Sequence, residues 1–314
     1  MDTEVKTVES TFQSRNQHLS FFLDNATVLG VLMIAPAVIY ILALVGYPLV
    51  LAFIYSFSDI TIGSSHFSFV GLENIQMLIR DFDFKTALYN TIYFTAVSMI
   101  IVLVLAKILA LILLKDFKGK FIIRTLILMP YVAPISLGVI GWLWMLDSIY
   151  SPINWLLQHT RLFGPDFWPM WLGKPKLAMS AIITVHVWRM LPLATVIMLA
   201  GLTSIPQDIQ DAALVDGAGY FRRLFQITIP MMLPIMLVAV LFGIVFTATD
   251  IIIILVLTRG GPYGSTQVLV SKAFYTGIDA GDLATGAATA LFLFPLLAAV
   301  AIFMLRIARR AEIA

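Results

Sequence analysis

Long apolar runs set the pattern of this chain, separated by polar stretches rich in proline, glycine and charge. The hydrocarbon core of a bilayer takes roughly 20 apolar residues of helix. Residues 28–57, 87–114, 121–146, 177–202, 231–257 and 284–307 each reach that length. They predict an all-α integral membrane protein with about six transmembrane helices. Pro36, Pro48, Pro130, Pro134 and Pro192 fall inside these runs. Membrane helices tolerate proline where neighbouring helices or water satisfy the freed carbonyls. Pro130 and Pro134 lie four residues apart and predict a distorted third span. Two readings stand: a packing kink, or a break that lines a pathway.

Composition agrees with the runs. Hydrophobic residues make up 60% of the chain and charged residues 12%, against about half and a quarter in soluble domains. That is too little charge to coat a soluble surface, so lipid must solvate much of the chain. The net charge of +2 and the lack of a long basic tract exclude nucleic acid as an expected partner. The absence of cysteine excludes disulfides, thiolate metal sites and cysteine nucleophiles. Asp2, Glu4, Glu9 and Asp24 beside Lys6 and Arg15 do not form the basic-then-apolar order of a cleaved signal. The first span is therefore expected to stay as an anchor.

Positive charge near helix ends sets the orientation. Lys115, Lys118, Lys120 and Arg124, then Arg222 and Arg223, then Arg306, Arg309 and Arg310 fall on one side. With that side cytoplasmic, both termini are cytoplasmic. Residues 1–27 form a cytoplasmic segment, 28–308 the membrane domain, and 309–314 a cytoplasmic tail.

The cytoplasmic loop between the fourth and fifth spans is the most informative stretch. Ser204 and Gln207 have capping-box spacing, and Pro206 fits a first helical turn. Ile209, Ala212, Ala213 and Asp216 share a helical face. Gly217 and Gly219 interrupt it, Phe221, Leu224 and Phe225 resume an apolar stripe, and Pro230 closes the segment. The spacing predicts a short helix, a glycine turn and a second short helix. Small side chains at Ala212 and Ala213 permit close approach by another protein, and a helix laid in a partner's groove is a common recognition mode. A helix resting on the bilayer is the other reading that spacing leaves open.

Asp211-Ala212-Ala213, then Asp216-Gly217-Ala218, then Phe225, Ile229 and Pro230 resemble the Glu-Ala-Ala loop of ATP-binding-cassette (ABC) importer permeases. Asp211 departs from the usual Glu by one methylene. The resemblance implies that residues 203–230 form the coupling loop, which docks into a cleft on an ATPase subunit. Val70-Gly71-Leu72-Glu73-Asn74, Asn90-Thr91, Leu128-Met129-Pro130-Tyr131-Val132-Ala133-Pro134, Trp188-Arg189-Met190-Leu191-Pro192 and Leu257-Thr258-Arg259-Gly260-Gly261-Pro262 are similar to stretches of carbohydrate-importer permeases. Together they resemble the MalF-like, or first, permease subunit. That implies the type I importer fold, a second MalG-like permease, two ABC ATPases, a solute-binding protein and a carbohydrate substrate, in the cell membrane of a prokaryote. A glycerol phosphate or other non-sugar solute is the alternative.

Charge inside a span usually faces a cavity, and Arg189 and Asp250 lie within spans. They either line the pathway or form a mutual ion pair. Thr247 and Asp250, three apart, share a helical face, a hydroxyl and a carboxylate suited to a polyhydroxylated solute. The resemblance adds Phe246, Thr249, Met190 and Leu193 as contact positions. Tyr131, Trp142 and Trp144 are candidates for stacking on sugar rings, and the tryptophans equally suit interface anchoring. Lys107, near the end of its span, is expected to snorkel.

His18, His66, His159 and His186 have no metal-ligand spacing, and His186 reads as a satisfied internal histidine. No phosphate-binding Gly-Lys-Ser/Thr loop is present in the sequence. The chain is therefore expected to be a non-catalytic subunit, with ATP and Mg bound by partner ATPases. An ion-coupled secondary transporter would show clustered midplane acids and related halves. A membrane enzyme would show carboxylates or histidines gathered at one interface. Neither pattern is present in the sequence.

Overall fold

The computed structural model describes residues 26–313 except 65, 161–163, 165 and 166. The segment up to residue 25, with His18, lies outside the described residues, as do Arg161, Asp166 and the side chain of Arg310. The chain divides into two compact units, Met1–Ile54 and Tyr55–Ala314.

The first unit is helical where described. α1 (Ala26–Ile41) passes through a π-helical turn at Leu42–Gly46 into α2 (Tyr47–Ser56). Pro48 sits directly after the wide turn. A proline lacks the N–H for the carbonyl four residues back and its ring collides with it; one extra residue in the turn relieves both problems.

The second unit carries the remaining elements. α3 (Glu73–Arg80) precedes α4 (Phe82–Leu114), and α5 (Lys120–Val132) precedes α6 (Ile135–Met145). α7 (Pro152–Thr160) leads to α8 (Pro175–Thr203) and the short α9 (Gln207–Val215). α10 (Tyr220–Arg223) runs through a π turn at Leu224–Thr228 into α11 (Ile229–Ala248), and α12 (Ile252–Leu257) follows a break. α13 (Leu269–Phe274), a π turn at Tyr275–Asp279, α14 (Leu283–Leu291) and α15 (Leu293–Ile313) complete the chain.

α4 and α8 pack along each other, α11 lies against both, and α15 lies against α11. The usual polar-out pattern is absent on α4. Ile100, Val104, Ile108 and Ile112 are exposed at fourfold spacing, while Val102, Ala106 and Ala110 are buried on the other face. The helix turns its polar Asn90, Thr91, Thr95 and Ser98 inward, and small Ala106 and Ala110 let neighbouring helices approach, as expected where lipid replaces water. Ala106 and Ala110 meet Met198, Leu202 and Met232 in one cluster. Gly201 packs close there, since a Cβ would stand 3.0 Å from the terminal methyl of Met232 and push it aside. Phe94, Val102, Ile182, Val185, Ile253 and Ile254 form the central cluster.

Among the described residues, five helical runs are long and apolar enough to span a membrane, and the bent pair α5–α6 makes a sixth candidate. The distortion expected in the third span is a break, with a bend of 97° between α5 and α6. Pro134 forces Ala133 out of the helical region, to φ −65° and ψ 143°, and the helix stops there. Pro130 is absorbed inside α5. The fifth run differs from expectation. Pro230 does not close the loop, because the π turn at Leu224–Thr228 carries the helix through it. α10 and α11 therefore form one helical run that joins the loop directly to the span.

Candidate functional site

Residues from α8 meet the break between α11 and α12. His186 and Arg189 are three apart on α8 and point the same way. α11 ends at Ala248, and α12 starts at Ile252. Asp250 lies in the gap, where its Oδ1 accepts the N–H of Ile252 at 3.2 Å. Its Oδ2 accepts from Arg189 Nη1 at 2.9 Å and faces His186 Nδ1 at 3.1 Å. A carboxylate only accepts, so His186 donates from Nδ1. His186 Nε2 lies 2.9 Å from Thr247 Oγ1, which itself reaches the Gly243 carbonyl at 2.6 Å. Phe94 covers the imidazole edge-on, with ring centroids 5.0 Å apart. The Asp250 side chain is 3% exposed and that of Arg189 28%. The acid is enclosed, and the base reaches the surface of the bundle.

This geometry revises one expectation. Thr247 and Asp250 do not offer a free hydroxyl and carboxylate on one face. Both are buried, and both are turned onto His186. Arg189 and Asp250 form a direct ion pair. Sequence reasoning left His186 out of the candidate set. Its one local signal is the three-residue spacing from Arg189, because its partners lie 61 and 64 residues away.

The remaining contact candidates divide. Met190, Leu193 and Phe246 border one small apolar cavity of about 30 Å³, with Met99 and Gly243. A Cβ at Gly243 would stand 2.4 Å from Met99, so this glycine makes room for the methionine. Thr249 and Tyr131 are exposed. Trp142 packs edge-on against Trp188 at 5.7 Å, while Trp144 is exposed. Lys107 Nζ lies 6.0 Å from the Phe225 ring centroid. Among the described residues, no group of three His, Asp or Glu side chains could hold a metal ion.

The second feature is α9 and its turn. The capping box expected at Ser204 does not form. The Ser204 hydroxyl donates back to the Gly201 carbonyl at 2.9 Å, ending α8, and Pro206 stands before α9 without a side-chain cap. At the other end, Ala218 N–H reaches the Ala213 carbonyl at 2.9 Å, and Gly217 N–H reaches Leu214 at 3.0 Å. These two bonds form a Schellman cap, and Gly217 takes the left-handed φ of 71° that the cap needs. The Asp216-Gly217-Ala218 motif is thus a helix stop. Ala213 is buried, whereas Asp211, Ala212, Asp216, Phe225 and Pro230 are exposed. Gln207 Nε2 donates to Asp211 at 3.3 Å. Leu214, Val215 and Phe221 leave an apolar surface beside them.

At the opposite end of α4, Asn90 Nδ2 donates to the carbonyls of Ser265 and Gln267, each at 2.9 Å. Thr91 Oγ1 accepts the Leu269 N–H at 2.9 Å. The Asn90-Thr91 pair therefore anchors the loop that holds Gly260, Gly261 and Pro262, where the Gly261–Pro262 bond is cis. Asn74 does similar work, donating to the carbonyls of Ser56 and Ser58.

A lipid-facing bundle with interrupted spans, a charged network at one interruption and an exposed helical loop defines a membrane transport subunit. The chain belongs to the family of binding-protein-dependent transport system inner membrane components, whose model matches residues 108–313. It is 33% identical over 282 residues to the trehalose/maltose transport system permease protein MalF of Thermococcus litoralis, covering 90% of this chain and 94% of the relative. It is 30% identical over 282 residues to the sulfoquinovosyl glycerol transport system permease protein SmoG of Agrobacterium fabrum, covering 90% of each. A chain in the crystal structure of a bacterial alginate ABC transporter, in complex with alginate pentasaccharide-bound periplasmic protein, has the same fold. The two share a TM-score of 0.76 at 18% identity, over 92% of this chain and 96% of that one.

Proposed function

We propose that this chain is one of two permease subunits of an ATP-driven carbohydrate importer in a prokaryotic cell membrane. The observation that carries the reading is the near full-length similarity to permeases named for trehalose/maltose and sulfoquinovosyl glycerol transport. A second, MalG-like permease completes the pathway. Two ATPase subunits bind ATP and Mg and supply the energy, and an extracytoplasmic binding protein delivers the solute. This chain is non-catalytic, with both termini cytoplasmic.

Residues 203–230 act as the coupling loop. Asp211, Ala212, Asp216 and the apolar Leu214, Val215, Phe221 and Phe225 face the ATPase, while buried Ala213 and the Gly217 cap hold α9 in shape. Because α10 runs unbroken into α11, closure of the ATPases on ATP moves the fifth span as a lever. The far end of that lever is the break at Asp250. Its ion pair with Arg189 and its bond to His186 fasten α8 to the break. Releasing that pair frees the partly exposed guanidinium for solute hydroxyls.

The test is ATPase activity of the reconstituted complex with its binding protein, across sugars, polyols and glycerol phosphates. Stimulation by a sugar supports the reading. Stimulation by a glycerol phosphate alone would leave an importer and overturn the carbohydrate assignment.

A further inference from the structure

α4 keeps an apolar outer row to its last turns. Ile100, Val104, Ile108 and Ile112 are exposed at fourfold spacing, and Leu114 ends the helix. The chain then turns through residues 115–119 into α5, and its character changes at once. Lys115, Lys118, Lys120 and Arg124 stand against one acid, Asp116, between positions 115 and 124.

Two of these bases are used locally. Lys120 Nζ pairs with Asp116 at 2.9 Å, and Arg124 Nη2 reaches the Leu113 carbonyl at 3.5 Å. Lys115 and Lys118 are exposed and have no ion-pair or hydrogen-bond partner among the described residues. The only acid of the turn is therefore already neutralised, and two free ammonium groups follow directly on an apolar ridge.

A cavity of about 700 Å³ lies at this junction, and Ile108, Ile112, Lys115, Phe117 and Tyr220 help to line it. Ile108, Ile112, Lys115 and Tyr220 are all exposed, so each is open to an occupant. Tyr220 is the first residue of α10, at the base of the run that joins the coupling loop to the fifth span.

An occupant has two demands to meet. Along the row from Ile112 back to Ile100, about 18 Å of helix, it must be long and apolar. At Lys115 and Lys118 it must be anionic. A soluble anion meets only the second demand, and a neutral lipid only the first. An anionic phospholipid meets both. Basic groups just beyond a membrane helix attract anionic headgroups, lysine stems lie along apolar surface while the ammonium reaches outward, and tyrosine suits headgroup depth. We propose that Lys115, Lys118 and Tyr220 form a binding site for the headgroup of an anionic phospholipid, whose acyl chain lies along Ile100, Val104, Ile108 and Ile112. The site needs only a membrane-spanning chain and is independent of which solute is carried.

The test is native mass spectrometry of the complete importer, purified in detergent and given equal amounts of phosphatidylglycerol and phosphatidylcholine. The variants are Lys115→Gln, Lys118→Gln, both together, and Lys85→Gln, which removes the same charge from an exposed position at the other end of α4. Wild type should retain phosphatidylglycerol in preference to phosphatidylcholine. Each single lysine variant should lose about fivefold of that preference, the double variant more than either, and Lys85→Gln none. Dihexanoyl phosphatidylglycerol should be retained less than the dioleoyl form, and equal retention overturns the part played by the isoleucine row. An unchanged preference in the double variant overturns the site. An equal loss in Lys85→Gln also overturns it, because net charge alone then explains the effect. Displacement of the lipid by inorganic phosphate would reveal a site for a free anion instead. Failure of the double variant to assemble with the second permease overturns the proposal as well, since the turn then faces protein.

Discussion

Arg189 and Asp250 are joined by a 2.9 Å ion pair across 61 residues of sequence, and the acid sits where the fifth helical run stops being a helix. The pair therefore ties a long, regular helix to an irregular joint. A carboxylate left alone at this depth would have lipid and apolar side chains around it. Arg189, His186 and the Ile252 N–H together satisfy it.

Removing Asp250 takes the acceptor from Arg189 and from the buried His186 Nδ1, while the guanidinium, 28% exposed, still reaches the bundle surface. Asp250→Ala should destabilise the assembled permease by about 1–3 kcal/mol. The apolar pair Arg189→Met with Asp250→Leu should recover most of that. Thermal unfolding of the purified complex measures both, and equal loss in single and double variants would show that the pair does not act as a unit.

Thr247→Val keeps the shape and removes the hydroxyl that meets His186 Nε2. Hydrogen bonds between membrane helices average about 0.6 kcal/mol and reach about 1.7. A loss within that range is expected in the same unfolding measurement. A loss as large as that of Asp250→Ala would mean that the histidine, not the ion pair, holds the joint.

Gly217→Ala puts a Cβ at φ 71° and should cost about 1–2 kcal/mol locally. Because the cap ends α9, the expected readout is reduced solute-stimulated ATP hydrolysis with the binding protein's own affinity unchanged. Ala213→Asp, which buries a charge under α9, should abolish stimulation. Full stimulation in both variants would separate this loop from energy coupling.

Asn90→Ala removes the donor shared by the Ser265 and Gln267 carbonyls. Faster amide exchange is expected through residues 260–269, with the rest of α4 unchanged. Exchange rates equal to wild type would show that Thr91 alone fixes the loop.

Asp81 gives a pH dependence at the same end of the molecule. Burial disfavours its charge, but the Lys272 ammonium at 2.8 Å and the N–H groups of Asp83 and Phe84 outweigh that and hold its pKa below the usual carboxylate value. A depressed folded pKa means stability that is complete above the unfolded value, about 3.9, and lost as pH falls through the lower folded value. The Tm of Asp81→Asn should therefore fall less than wild type's below about pH 4. Parallel acid limbs would remove Asp81 from the account.

The sequence made some of this legible and hid the rest for physical reasons. The spans were plain because apolar length is a strong signal. The third span's distortion was readable from Pro130 and Pro134, but proline alone does not distinguish a kink from the 97° break that Pro134 makes and Pro130 does not. The break at residues 249–251 has no proline or glycine to announce it. Ser204 had the spacing of a helix start and serves as a helix end, because hydroxyls that accept at one terminus can also donate back to a carbonyl. Asp211, Gly217 and their neighbours were found by pattern, while the Schellman bonds that explain the pattern needed coordinates. His186 was invisible as a site residue because its partners come from a distant helix.

The π turn at Leu224–Thr228 has a mechanical meaning. Each α-helical residue rotates the chain by about 100°, so one additional residue in this turn offsets Tyr220 and Phe221 from Met232 by that angle. The bearing of the coupling surface around the fifth span is thus set by a residue count, as the phase of a gear is set by its teeth. Deleting one residue between Leu224 and Thr228 would close the π turn to an α turn and keep that bearing, whereas straightening the turn with every residue retained would swing the surface by about 100°.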